Sequence, residues 1–240
     1  MNTPKRLPVK LGKEPLVEAV CQLRVAGKVA LNVFFPGMLL TRYPESVSGL
    51  QQLPSAMIPE QLRTAQPELA FVPVIQLKFK GLLVMIGQRS VSVSNPAPYL
   101  GWVEFKSVIV EVFNVLLQSQ QVSKIDRYSI KYVNVLKTDG VSNSSDALDW
   151  SIRIGQLGLN KQSTNVRTET VSNGLLTIIT LSGGVTVQVL GQTPIQGALI
   201  DIDTICQTEA DPEDFMARMS SELDRIRHAN KVAFFECLTN

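Results

Sequence analysis

The chain has 240 residues, 45% of them hydrophobic and 18% charged, with 15 Gly, 13 Pro, 3 Cys, a single His and a formal charge of +2. That apolar fraction excludes a disordered chain, three cysteines exclude a dense disulfide framework, and so small a charge excludes a protein whose main work is to coat nucleic acid. The longest apolar stretches, such as 81–87, fall far short of the ~20 residues that cross a bilayer.

A chain of this length buries roughly 70% of its unfolded surface, so a core forms without staples. Met1–Lys13 is basic and lacks an apolar stretch of signal-peptide type, and no lipidation pattern is present. A cytoplasmic location follows as an expectation, with Cys21, Cys206 and Cys237 as reduced core residues. The mean hydropathy of +0.12 is high for so few charges. It fits either a well-filled core or an apolar face covered by a second copy or another chain.

In chain order, Leu16–Val25 reads as a strand whose Glu18, Gln22 and Arg24 share a wet face. Phe34–Pro67 reads as an irregular helical segment containing proline. Val74–Lys80, Leu82–Ile86 and Ser90–Ser94 read as strands. In 101–118 the polar residues Glu104, Ser107, Glu111, Asn114 and Gln118 recur at steps of three and four, one solvent stripe on an otherwise apolar helix. Arg127–Lys137 alternates again. Thr138–Ser145, rich in Ser, Asn, Asp and Gly, reads as a loop and a mid-chain boundary. Strands follow at Ser151–Gly155, Val166–Val171, Leu175–Leu181, Val185–Val189 and Ala198–Ile205. Asn173-Gly174 and Gly183-Gly184 give hairpin signals between them. The final helix, 211–237, starts with Asp211 as N-cap and Pro212 at its first position. Phe215, Met219, Leu223, Ile226, Ala233 and Cys237 lie near one face of it.

These elements predict an α+β fold: a largely antiparallel, curved sheet packed on two long helices. The order of strands then helix recurs in two halves. Residues 1–140 hold the first strands, helix 101–118 and strand 127–137. Residues 141–240 hold the β-hairpins and helix 211–237.

The chemical inventory is sparse. The one histidine, His228, sits beside Arg227 and Lys231 without a triad partner in view. The cysteines are isolated, so no zinc set forms, and no phosphate loop, dinucleotide fingerprint or G-x-S-x-G elbow occurs. Two constellations remain. Asp201 and Asp203 point to the same face of one strand and offer oxygen ligands for Mg²⁺, or partners for cations across the sheet. Arg24, Arg127, Lys131, Arg153 and Arg167 lie on predicted strands and would bind an anion if they converged on one face. Tyr128 and Tyr132 point away from Arg127 and Lys131, into the core, which disfavours a base-stacking platform.

Two segments carry a resemblance. Pro15-Leu16-Val17-Glu18-Ala19-Val20-Cys21-Gln22-Leu23-Arg24 resembles the opening of a sporadically distributed family of uncharacterised bacterial proteins. Arg127-Tyr128-Ser129-Ile130-Lys131-Tyr132-Val133-Asn134 resembles that family's central strand, with Lys131 where the family often has Arg; this keeps the charge and loses the planar fork. The 198–203 strand and the final helix also fit. The patchy distribution implies carriage on accessory loci of defence or toxin–antitoxin type. The expectation is a non-catalytic binding or regulatory protein that takes a protein partner, further copies of itself or both, without a cofactor or a membrane. Nucleic acid is disfavoured as a ligand. The alternative is a Mg²⁺-dependent enzyme processing nucleotides or phosphates through Asp201 and Asp203.

Overall fold

A computed structural model describes residues 14–137, 144–157, 160–188 and 193–239. The basic segment Met1–Lys13 and residues 138–143 of the expected boundary loop lie outside the described residues. The elements are β1 (Leu16–Gly27), α1 (Leu31–Arg42), β2 (Val47–Gln52), α2 (Glu60–Ala65), β3 (Ile75–Phe79), β4 (Leu82–Ile86), β5 (Ser90–Pro96), α3 (Trp102–Leu117), β6 (Val122–Lys137), β7 (Asn165–Ser172), β8 (Leu175–Val187), β9 (Ile195–Ala210) and α4 (Pro212–Glu236). The nine strands form one antiparallel sheet in the order β2-β3-β4-β5-β1-β6-β9-β8-β7. With four α-helices among the described residues, the fold is α+β.

The first strand of the chain lies at the centre of this sheet. In β1, Ala19, Cys21, Leu23 and Val25 are buried, while Glu18, Gln22 and Arg24 project to the other face. β6 pairs with β1 on one side, Cys21 opposite Ile130 and Leu23 opposite Tyr128, and with β9 on the other, Tyr128 opposite Cys206. The sheet therefore runs without a break through the two sequence halves. All three cysteines are free and buried.

Helices α3 and α4 pack on the buried face and touch each other. Phe105, Ile109, Val112, Phe113 and Leu116 of α3 are fully buried. The β-branched residues of α3 are poor helix formers, and burial of that broad apolar surface overrides the propensity. On its polar stripe, Glu104, Ser107 and Gln118 are exposed, and Glu111 bonds Lys80 at 2.6 Å. In α4, Asp211 Oδ1 accepts from the backbone N–H groups of Glu213 at 2.8 Å and Asp214 at 3.4 Å, and Pro212 needs no such partner. Tyr128 donates to Glu222, and Arg225 bonds both the Tyr128 hydroxyl at 3.0 Å and Glu222 at 2.7 Å, tying α4 to the middle of the sheet. A second, smaller apolar cluster, with Leu148, Ile200, Ile202 and Phe234, lies under the C-terminal half of α4.

Three elements depart from the sequence expectation. Inside the segment expected to be irregular and helical, Val47–Gln52 forms edge strand β2; it is mostly exposed, so it carries no alternating apolar signal. Gly183-Gly184 does not turn the chain: β8 runs through both glycines, and the register with β9 shifts between Ser182 and Val185. Such a bulge uses the small residues that a turn would also use. Ser151–Gly155 is no strand and holds a single bridge, Ile154 to Leu157. Asn173-Gly174 does form the β7–β8 hairpin, both residues at positive φ (50° and 73°).

A methyl added at Gly197 would lie 2.0 Å from the Leu136 carbonyl oxygen, whereas one at Gly37, exposed inside α1, meets nothing within 4 Å. Gly197→Ala is expected to lower stability by about 1–3 kcal/mol through overpacking. Gly37→Ala is expected to raise it by about 0.5–1 kcal/mol through helix propensity. Urea midpoints at an unchanged denaturant slope check both.

Candidate functional site

The face of the sheet opposite α3 and α4 gathers part of the charged set expected from sequence. Arg24 lies directly opposite Arg127 across β1 and β6. The Arg24 guanidinium stacks over Phe71 at 4.2 Å, donates to Gln22 Oε1 at 2.8 Å and lies 3.9 Å from Glu68. Arg127 bonds Asp203 at 3.3 Å, and Lys131 bonds Asp201 at 2.8 Å. Three cations thus meet three carboxylates. Burial, and then Arg24, hold the Arg127 guanidinium below its ordinary value, against the opposing pull of Asp203.

The other two cations stand apart. Arg167 shares this face through the Arg167–Thr180 and Thr180–Asp201 pairings, but it sits on edge strand β7 and closes on Glu169 at 2.6 Å. Two strand spacings put it roughly 10 Å from β9. Arg153 lies outside the sheet and donates to the Gly155 carbonyl at 3.2 Å. The five cations therefore do not converge. Both carboxylates of the expected Mg²⁺ pair already accept a cation, and among the described residues no group of three or more His, Cys, Asp or Glu is placed to hold a metal. The array is ion-paired and close to neutral, which suits a structural polar face better than an anion trap.

A cavity lies on the helix side, at the junction of α3, α4 and β6. Its volume is about 450 Å³, within the range of small-ligand sites. Tyr99, Trp102, Tyr132, Phe234 and Phe235 wall it, with Arg227, Lys231, Asn134 and Asn230 among them. Local bonds fix these walls. The Tyr99 and Tyr132 hydroxyls bond at 3.0 Å, and their rings meet edge to face at 6.0 Å. Trp102 Nε1 donates to Asp224 at 2.8 Å, the carboxylate that also takes Lys106 at 2.6 Å. Burial alone would raise the Asp224 carboxyl, and the bonds from Lys106 and Trp102 bring it below its ordinary value. Arg227 lies over the Trp102 ring at 5.5 Å. At the floor, the Asn230 amide donates to the carbonyls of Ile130 at 3.2 Å and Ile202 at 2.9 Å, so the polar groups under α4 are satisfied by the sheet.

Electrostatically the cavity is mixed: Arg227 and Lys231 stand at one wall, and the carboxylate of Glu14 also lines it. Burial, then neighbouring Arg227, lower the Lys231 ammonium below its ordinary value. Burial holds the Tyr132 phenol well above its ordinary value, so it stays a neutral hydrogen-bonding group. Among the described residues the lining holds no Ser, Thr, Cys or His, and His228 is exposed on α4 outside it. Such walls can bind and orient a flat or apolar group carrying negative charge. The sequence placed Tyr132 in the core and gave Arg227 no role, because their partners on this wall come from distant parts of the chain.

Arg127 Nε and Asp203 Oδ1 are buried without a hydrogen-bond partner, so their pair is incompletely satisfied. Arg127→Met or Asp203→Leu alone is expected to cost about 1–3 kcal/mol by stranding the other charge. The double variant is expected to cost clearly less than the sum, as a thermodynamic cycle would measure. Burial holds the Asp203 carboxyl above its ordinary 3.8, against the pull of Arg127 and Lys131. A carboxyl raised in the folded chain contributes stability that is fully present below 3.8 and lost as pH rises through the folded value. The stability of the native chain relative to Asp203→Asn should therefore fall across that window, as urea unfolding at a series of pH values would record.

No family model and no curated protein matches this chain, so its function rests on the geometry of these residues.

Proposed function

We propose that the protein is a non-catalytic binding protein whose working site is the aromatic cavity between α3, α4 and β6. The observation that carries this is the combination of walls: Tyr99, Trp102 and Tyr132 facing Arg227 in about 450 Å³, with no Ser, Thr, Cys or His among the described lining residues. An aromatic anchor would fill the apolar volume, and a carboxylate beside it would meet Arg227. Buried aromatic and arginine contacts of this kind dominate binding energy at protein interfaces. The occupant is accordingly an acidic segment of a partner protein bearing an aromatic side chain. The resemblance of 15–24 and 127–134 to a sporadically distributed bacterial family is the ground for setting that partner within an accessory system of defence or toxin–antitoxin type.

The strand order also supports reading the chain as two related units. Outward from the centre it runs β1-β5-β4-β3 on one side and β6-β9-β8-β7 on the other, and each run is followed in the chain by the helix that covers it. In this reading the units meet between α3 and β6 rather than at residue 140, and the cavity lies where the second unit's helix closes over the start of α3.

Selection of peptides from an unbiased displayed library tests the proposal. Peptides retained by the native chain should share an aromatic residue flanked by Asp or Glu. Arg227→Glu should weaken them at least about tenfold, since a charge-assisted bond contributes about 1.5–3 kcal/mol. Retention indifferent to Arg227→Glu and to Trp102→Ala would overturn the assignment.

A further inference from the structure

Beyond the α4 cavity, a second and chemically different pocket lies near the opposite edge of the sheet. Arg63 of α2 is 7% exposed. Its Nε donates to the Ile58 carbonyl at 3.2 Å and its Nη2 to the Ser55 carbonyl, so two corners of the guanidinium hold the 55–58 turn. Its third nitrogen, Nη1, is buried with no partner. Among the described residues no carboxylate forms an ion pair with it. A buried guanidinium without a counter-charge is costly, and folded chains keep one mainly where an anion meets it.

The space beside Arg63 is suited to such an anion. It is a cavity of about 240 Å³ lined by Asn32, Gln52, Gln88 and Arg63, with Ala56, Ile58, Val74 and Ile75 closing it. Among the described residues no acidic one lines it. A second polar atom there is also orphaned: Asn32 Oδ1 is buried without a donor. An unused donor and an unused acceptor in one small polar cavity set the chemistry of what fits. The ligand must accept from Arg63 Nη1 and donate to Asn32 Oδ1. The Gln52 and Gln88 amides can serve its remaining oxygens.

We propose that this pocket binds a small oxyanion that carries at least one O–H group, such as hydrogen phosphate or a short hydroxycarboxylate. The volume is below that of drug-sized ligand sites, which excludes a nucleotide. The ligand would join α1, the end of β2 and α2, and so stabilise the edge of the sheet that carries β2.

Calorimetric titration of the full chain at constant ionic strength tests this, with inorganic phosphate, glycolate and acetate as probes. The native chain should bind phosphate and glycolate, and should bind acetate, which has no O–H to offer Asn32, at least several-fold more weakly than glycolate. Arg63→Gln should weaken phosphate at least tenfold. Because Arg63 also holds the 55–58 turn, Asn32→Asp provides a second arm that leaves Arg63 intact. It puts a fixed carboxylate into the cavity, so phosphate binding should vanish while the thermal midpoint rises. No heat with phosphate in the native chain, or equal heats in the native and Asn32→Asp chains, would overturn the proposal.

Discussion

Antiparallel pairing between β1 and β6 is the constraint on which the rest of the molecule depends. Each strand has a second neighbour, β5 for β1 and β9 for β6, so the central pair carries hydrogen-bonded partners on both edges. Its inward side chains, Cys21, Leu23, Tyr128 and Ile130 among them, form the floor on which α3 and α4 rest. Its outward side chains, Arg24, Arg127 and Lys131, form the ionic array. A one-residue slip in this pairing would exchange the two sets, driving guanidinium groups into the apolar layer. Register here fixes the core and the polar face together.

The two faces have divided the chemistry between them. On the face opposite the helices, Arg24, Arg127 and Lys131 pair with carboxylates within the chain, and the sheet is left polar, with Arg127 Nε and Asp203 Oδ1 unpartnered. On the helix face, the floor residues are apolar except where Asn230 reaches down to the sheet carbonyls and where Tyr128, Glu222 and Arg225 clamp α4. Those fixed points hold the last turns of α4 at a set height above β6. The space left between them and the start of α3 is the aromatic cavity. Its shape is a consequence of how two helices of unequal length meet a continuous sheet.

Legibility in the sequence followed the kind of signal each element carries. Helices α3 and α4 were readable because a polar stripe at steps of three and four, and an Asp-Pro start, are local patterns with direct mechanical meaning. Strands β1 and β6 were readable because one face is buried and the other wet. β2 was not, since an exposed edge strand has no apolar face to display, and Gly183-Gly184 misled because a bulge and a hairpin ask for the same residues. The charged set divided similarly. Arg24, Arg127, Lys131, Asp201 and Asp203 alternate on strands that pair, so a shared face could be foreseen, whereas the separation of Arg153 and Arg167 depends on sheet order. The aromatic cavity and the Arg63 pocket had no local signal. Tyr99, Tyr132 and Arg227 meet only through tertiary packing, and burial of Arg63 depends on how 54–71 folds against α1 and β3.

The central place of β1 has a consequence for how the chain is made. β1 precedes both of its sheet neighbours in the chain, so it can fill one edge only after β5 has emerged and the other only after β6. β6 then waits for β9, some sixty residues later in the chain. Throughout that interval a long strand edge stays unpaired. Translation speed across the second half, and whatever chaperone shields that edge meanwhile, should therefore govern the yield of native protein more strongly than its final stability does.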